Sequence, residues 1–433
     1  MSKYIAFLLV MLSAAAGAQE RLTLQDAIAR TLKHNFDISM ADITVRQAIR
    51  NNTYGNAGFA PYITAGVAAT ESRNNIYSDL SNGTQQTNPN AVNTNINPVL
   101  TVNWTIFDGG KMFIVKKTLS QTQKFTELQL KAQIQTMVSR TIQMYASVVL
   151  QQKQLVAADT AIYLAKVRMQ ITQLKYETGA GAKVDYLQAR VDYNASRNDS
   201  LTYVASIAQT TDSLNVLMGE NDGKLYAVDD SIALNTQLQP VDKEKLEDIN
   251  LLLNSYKVNA GISHLNADAA KTFLLPSLVF DGGYAYSRVT NATGFALYSR
   301  SYGPFGTLSL TVPVFAGGNL RRQAKVASLQ AMRDDLLYEK QNSIVGKQFR
   351  TAWRTYQLSV AAYNLASENI IYAKENLDVQ LARFRVGVGT TLESKEAENS
   401  YVQALIKLYT AQYNVKVNET IVLELQNQLV KSE

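Results

Sequence analysis

The chain has 433 residues, 46% of them hydrophobic and 18% charged, with no cysteine and two histidines, His34 and His264. The lack of cysteine excludes a disulfide framework, a thiolate zinc site, a catalytic thiol and an N-terminal lipidated cysteine, and two histidines leave almost no room for His-based metal or triad chemistry. The formal charge of +6, from 42 Lys+Arg against 36 Asp+Glu, is spread without a dense basic block, so nucleic acid is not an expected partner and composition leans away from an enzyme.

In chain order, residues 1–18 read as an export signal. Lys3 supplies the positive start, Ile5 to Leu12 the apolar run, and Ala16-Gly17-Ala18 a small-x-small cleavage site, which puts the mature start at Gln19. No later segment offers 18 consecutive apolar residues, so a helical membrane span is not expected. Residence in a membrane would then require a β-barrel.

The rest of the chain is written twice. Phe107-Asp108-Gly109-Gly110 recurs as Phe315-Ala316-Gly317-Gly318, and Gly179-Ala180-Gly181 recurs as Gly387-Val388-Gly389; the offset is 208 in both pairs. Ala60-Pro61 and Leu275-Pro276 open the strand region of each copy at an offset of 215. The first repeat is expected over 22–220 and the second over 241–428. Residues 221–240 are the linker, or equatorial segment, with Asn221-Asp222-Gly223 and Pro240 as turn signals.

Each repeat follows one plan. A helical part comes first: over 22–56 a short helix starts at Leu22–Ala27 and a second is expected over 37–56, and 242–272 plays this part in the second repeat. Strands follow, over 61–71 and 98–107 in the first repeat and over 276–288 and 305–315 in the second. Leu100, Val102, Trp104 and Ile106 alternate with polar residues, as do Leu308, Leu310, Val312 and Val314, which is the period of two of a half-apolar strand. Polar stretches 72–97 and 289–303 read as hairpin loops.

Long helices are expected next, over 111–178 and 319–386. The first of these 68-residue segments contains neither Gly nor Pro, and the second holds one Gly, Gly346. At about 1.5 Å per residue each spans roughly 100 Å. Ile134, Val138, Ile142, Tyr145 and Val149 form a coiled-coil seam in the first; Val345, Phe349, Ala352, Tyr356, Val360 and Tyr363 form it in the second. Turns at 179–183 and 387–390 lead into return helices 184–219 and 391–428.

Four strands cannot close a barrel around a channel, since about eight is the smallest closed size, so strands in a membrane would require several chains. An envelope coiled coil that uses its strands only as an anchor or adhesive cap is the alternative from another class.

The duplicated strand-FxGG-helix junctions, with the duplicated turn Leu174-Lys175-Tyr176-Glu177-Thr178-Gly179 … Val184-Asp185-Tyr186-Leu187-Gln188-Ala189 and its copy Ala382-Arg383-Phe384-Arg385-Val386-Gly387 … Leu392-Glu393-Ser394, resemble the TolC-type outer-membrane efflux protein family. The resemblance covers nearly all of the mature chain. It implies an α+β membrane protein: a homotrimer whose three chains share one twelve-stranded transmembrane β-barrel, four strands each, continued by a periplasmic helical coiled-coil tube. It implies a passive exit duct for efflux or secretion in the outer membrane, embedded in outer-membrane lipid and serving a periplasmic adaptor protein and an inner-membrane pump, without cofactor, metal or catalytic residue.

The resemblance also assigns site residues at the periplasmic tip. Asp185, Glu393 and Glu396 match acids that ring the constriction, where crowding would raise their pKa values. Gly179, Gly181, Gly387 and Gly389 mark the tip turns and the adaptor contact. The family's latch tyrosine falls at Phe384, which has no hydroxyl, and its latch arginine at Gly389. Lys183, Arg385 and Arg383 are the candidate cationic substitutes. The bland reading of the three acids is ordinary helix-start carboxylates, favoured by the helix dipole.

Overall fold

The structure is a computed structural model that describes residues 21–220, 223–229, 232–294 and 296–430. The expected export signal, residues 1–18, lies outside the described residues. The chain divides into two compact units. One holds residues up to 43, 128–254 and from 340 onward; the other holds 44–127 and 255–339.

The elements in chain order are β1 Arg21–Leu22, α1 Leu24–His34, α2 Phe36–Asn51, β2 Tyr62–Asp79, β3 Gln85–Phe107, α3 Lys111–Glu177, α4 Lys183–Met218, β4 Ala227–Val228, α5 Lys243–Ile249, α6 Leu251–Thr272, β5 Ser277–Asn291, β6 Tyr298–Thr311, α7 Asn319–Arg385 and α8 Thr391–Leu425. The long helices α3 and α7 have 67 residues each. Among the described residues no helix is long and apolar enough to cross a membrane.

The second unit carries one antiparallel four-stranded sheet in the order β2-β3-β5-β6. The register sorts its side chains into two unlike faces. On one lie Ile63, Ala65, Val67 and Ala69 of β2, then Trp104, Val102, Leu100 and Ile96 of β3. Phe280, Tyr284 and Tyr286 of β5 and Leu310, Leu308 and Tyr302 of β6 complete that face. Many of these are widely exposed, Val67 at 72% and Leu310 at 68%. The other face is mostly polar: Thr64 and Thr101 hydrogen-bond at 2.6 Å, and the Asn103 amide donates to Asp281 at 2.5 Å. The outer strands β2 and β6 each have one edge without a strand partner among the described residues.

The strands differ from the expected boundaries. The stretch 72–97 is not a loop: β2 runs on to Asp79 and β3 begins at Gln85, leaving only 80–84 as the tip. Likewise only 292–297 separates β5 from β6, rather than 289–303. Polar side chains on both faces hide the period of two, yet the ladder joins backbone groups and is indifferent to side-chain polarity. One irregularity interrupts it between Asn74 and Ile76, where Asn90 takes φ +57° and donates its N–H to the Asn75 side chain at 2.9 Å. Asn is among the few residues that enter that region cheaply. At the other end β6 stops at Thr311, ahead of 312–315, because Pro313 has no N–H for the ladder.

The helical openings are each divided at an asparagine. Residues 22–56 form two helices parted at Asn35, and 242–272 two helices parted at Asn250. Both asparagines do the same work. The Asn35 N–H closes α1 onto the Thr31 carbonyl, while its side-chain oxygen accepts from the N–H groups of Asp37 and Ile38. Its amide donates to the Leu217 carbonyl near the end of α4, at 2.8 Å. Asn250 closes α5, accepts from the Leu253 N–H, and donates to the Leu425 carbonyl at the end of α8. Each asparagine therefore stops one helix, starts the next and hooks the joint to a return helix. Helix α8 ends at Leu425, short of the expected 428, and Asn427 turns the chain at φ +53°.

Two apolar clusters of the first unit hold the linker. Leu22, Ala27, Tyr145, Val148, Val149, Leu214, Met218, Tyr226 and Val228 form one. Leu246, Leu253, Val345, Phe349, Ala352, Tyr356, Val415 and Val422 form the other. A buried tyrosine pins the linker in each. The Tyr145 hydroxyl donates to the Leu22 carbonyl and accepts from the Asp229 N–H, both at 3.0 Å; the Tyr356 hydroxyl donates to the Asn235 carbonyl at 2.8 Å. Burial pushes the Tyr145 hydroxyl up to about 12, so it stays protonated as a donor.

Replacing the hook Asn35→Ala removes a cap and strands the Leu217 carbonyl. A loss of about 1–2 kcal/mol is expected, read from the denaturant midpoint of the helical circular dichroism signal, with a similar loss for Asn250→Ala.

Candidate functional site

The two turns between the long helices and their returns are built alike. In the second, α7 ends at Arg385, Gly387 takes φ +81°, and the N–H groups of Val388 and Gly389 both reach the Arg383 carbonyl. Glycine enters that left-handed conformation at no steric cost. A Cβ at Gly389 would sit 3.1 Å from the Phe384 nitrogen, so the chain doubles back tightly against the end of α7. The first turn repeats this with Gly179 at φ +73° and with Gly181, where a Cβ would lie 2.9 Å from that of Lys175.

The expected acids occupy equivalent positions. Asp185 and Glu393 are each the third residue of a return helix. Asp185 is exposed and makes no side-chain hydrogen bond among the described residues. Glu393 closes a capping box: its carboxylate accepts from the Thr390 N–H at 2.8 Å, while the Thr390 hydroxyl accepts from the Glu393 N–H at 3.2 Å. These bonds, the backbone one foremost, hold its carboxyl below the usual range within one protomer. Glu396 lies one turn further on and is exposed. Lys183 and Arg385 are exposed, with no ion pair or hydrogen bond to their side chains among the described residues. Arg383 donates to the Gln380 side chain at 3.3 Å and makes no ion pair among the described residues.

The contact that joins the two turns uses a residue not expected for it. Lys175, near the end of α3, places its ammonium 4.1 Å from the centroid of the Phe384 ring and donates to the Phe384 carbonyl at 3.1 Å. Phe384 is 1% exposed. With no hydroxyl, it engages the other hairpin through its π face and its backbone. The signal in the sequence was a lysine in the last turn of a helix, a common and weak pattern.

Further along the same helices lies a buried charge cluster that sequence reasoning also missed. Arg168 of α3 contacts Asp192 of α4 at 3.1 Å and Glu398 of α8 at 3.3 Å, its own side chain 3% exposed. Lys395 reaches Asp192 at 3.0 Å, and the Ser394 hydroxyl donates to Glu398 at 3.0 Å. Leu164, Leu377, Leu381 and Ala397 form an apolar cluster on the same helices and α7. One buried guanidinium thus ties α3 to both return helices. Burial pushes the Glu398 carboxyl up, outweighing the nearby Arg168. In sequence these charges sit scattered on three helices, and nothing in their spacing says that they meet.

Residues 27–220 and 263–425 match the family model described as outer membrane efflux protein. The chain belongs to that family. Its members are channels rather than enzymes, and they place this chain in the outer membrane with its helices in the periplasm. Among relatives, Outer membrane protein TolC of Vibrio cholerae is 26% identical over 254 residues, 57% of this chain and 57% of that protein. The chain therefore spans little more than half the length of that relative. Outer membrane efflux protein BepC of Brucella suis is 22% identical over 413 residues, 91% of this chain and 83% of BepC. The CmeC outer membrane channel of Campylobacter jejuni shares the fold, with a TM-score of 0.78, 16% identity, and 94% of this chain and 85% of that one covered.

Removing the central cation by Arg168→Met leaves the buried Glu398 carboxylate without a cation, while Asp192 keeps Lys395. A loss of about 3–5 kcal/mol is expected in unfolding experiments. The pH dependence has a defined sign. Glu398, with a raised folded pKa, weakens the fold above that pKa and is relieved as pH falls toward its unfolded value. Glu393, with a lowered pKa, contributes stability above its unfolded value that is lost as pH falls through the folded one. Thermal unfolding across the carboxylate range should therefore show Glu398→Gln erasing a gain on acidification, and Glu393→Gln erasing a loss.

Proposed function

We propose that this chain is one subunit of a passive outer-membrane exit duct, a homotrimer in which three four-stranded sheets close one twelve-stranded barrel. The single observation that carries the reading is the sheet: four strands, two open edges, and an exposed apolar face backed by a polar one. A backbone edge in hydrocarbon must be paired, and a sheet of this size pairs its edges only with other copies. The apolar face then meets lipid and the polar face lines a wet interior. The helices support the same reading. Tyr163, Leu358, Leu365, Ile371 and Val191 are 61–71% exposed in one chain, apolar residues that neighbouring copies would cover.

In this reading the two repeats are equivalent hairpins, and the Gly turns form the periplasmic tip that meets an adaptor protein and, through it, an inner-membrane pump. Three copies of Asp185, Glu393 and Glu396 ring the narrow end and favour cations over anions. In the trimer the crowding of these acids works against the capping bonds that lower the Glu393 pKa. Closure rests on Lys175 against Phe384 and on the Arg168 cluster, since the tyrosine and arginine of the family latch are replaced by Phe384 and Gly389. The export of cargo needs no bond chemistry in this chain.

Conductance in planar bilayers tests the reading. The purified protein should pass ions with a cation preference, and Glu393→Gln with Glu396→Gln should reduce that preference. Lys175→Ala should raise the open probability. A well-folded protein that conducts nothing would support the alternative, a structural envelope coiled coil anchored by its strands.

A further inference from the structure

The apolar face of the sheet ends in a pair of arginines. In β5, Leu278 and Phe280 are followed on the same face by Tyr284, Tyr286 and Arg288; in β6, Leu310 and Leu308 are followed by Pro304, Tyr302 and Arg300. Arg288 and Arg300 are directly opposite each other in the register. Like charges so placed repel and weaken a sheet unless a counter-charge is supplied. No carboxylate supplies it. Neither arginine makes an ion pair among the described residues, and both are exposed. Glu71, on the same face of β2, is two strands away and already engaged by Arg73 at 3.4 Å.

Each guanidinium is held over a tyrosine instead. Arg288 lies 5.5 Å from the Tyr298 ring centroid and Arg300 lies 5.6 Å from that of Tyr302. Tyr302 stacks in turn on Tyr286 at 6.4 Å. Stacking on aromatic faces leaves the guanidinium N–H groups free for an anion, and a guanidinium fork matches phosphate oxygens in pairs.

The height of the pair fixes its surroundings. From Leu278 to Arg288 is ten residues along β5. At about 3.4 Å per residue and a strand tilt near 40°, that is roughly 26 Å across the membrane, close to the apolar band of an outer-membrane barrel. The pair lies at the hairpin end of the strands, away from the helices, and so at the outer boundary of that band. An interfacial tyrosine row sits just below it.

We propose that Arg288 and Arg300, backed by Tyr298, Tyr302 and Tyr286, form a binding site for the phosphorylated head group of an outer-leaflet lipid, its acyl chains lying along the apolar face below. This rests on the reading of the sheet as the part that crosses the outer membrane. It adds to that reading a specific lipid class and the residues that recognise it.

The test uses the full-length protein in detergent and native mass spectrometry, with diphosphoryl lipid A and the same lipid stripped of both phosphates as probes. Wild type should retain the phosphorylated lipid and not the stripped one. Retention should fall about tenfold or more in R288Q/R300Q, as two charge-assisted bonds are lost, and should be partly kept in R288K/R300K. Thr290→Glu puts a carboxylate on the same face beside the pair and should lose the lipid with both arginines intact. Ser287→Glu puts it on the opposite face at the same height and should not. The Glu pair decides the matter even if the double variant fails to fold. Equal binding of both lipids by wild type, or full retention by Thr290→Glu, would overturn the proposal. So would displacement by inorganic pyrophosphate as effective as by lipid, which would mean a free-phosphate site. Conductance separates the two levels: a wild type that conducts but ignores the phosphates defeats this inference alone, whereas one that never conducts removes the reading beneath it.

Discussion

An unpaired strand edge carries a row of N–H and C=O groups, and lipid offers none of the hydrogen bonds that water would. That constraint governs this molecule. The sheet β2-β3-β5-β6 satisfies its inner strands and leaves β2 and β6 open on one side each. Its apolar face has Val67, Leu308 and Leu310 more than 60% exposed. Membership of the outer membrane efflux protein family supplies the solvent that makes such a face sensible. In water the same face and edges would aggregate; an outer membrane offers that face an apolar solvent.

Joints and turns, rather than core volume, organise the helical unit. Asn35 and Asn250 stop a helix, start another and hook a return helix, so one residue type fixes three elements at once. Tyr145 and Tyr356 tether the linker through hydroxyls buried in apolar clusters. Such groups contribute modestly when paired and cost much when left alone, which makes the joints specific as well as stable. The same logic holds near the Gly turns. Arg168 serves two carboxylates from two helices, so movement of either return helix relative to α3 must break or remake a desolvated contact.

The charge distribution follows the same division of surroundings. Glu393, at a solvated helix start, is held ionised by its cap, while burial pushes Glu398 toward its neutral form. Two acids five residues apart thus respond oppositely to acidification. On the sheet, Arg288 and Arg300 stand opposite each other in the register, and neither makes an ion pair among the described residues.

What the sequence by itself determined was whatever is local or repeated. Gly179, Gly387 and the FxGG junctions announce turns because few residues enter a left-handed backbone. The seams through Tyr145 and Phe349 follow from a period that any helix must obey. The alternation in 99–107 and 307–311 marks two unlike faces. It did not reveal the full strands, because polar residues on both faces of 72–97 erase the alternation while the ladder continues. Nor did it reveal the break at Asn250, or the hooks that Asn35 and Asn250 make to carbonyls some 180 residues away. The tertiary structure alone decided that Lys175 meets Phe384, that Arg168 meets Asp192 and Glu398, and that Arg288 stands opposite Arg300. Each depends on how separate elements are brought side by side, and a pairing across elements leaves no periodic trace in either one.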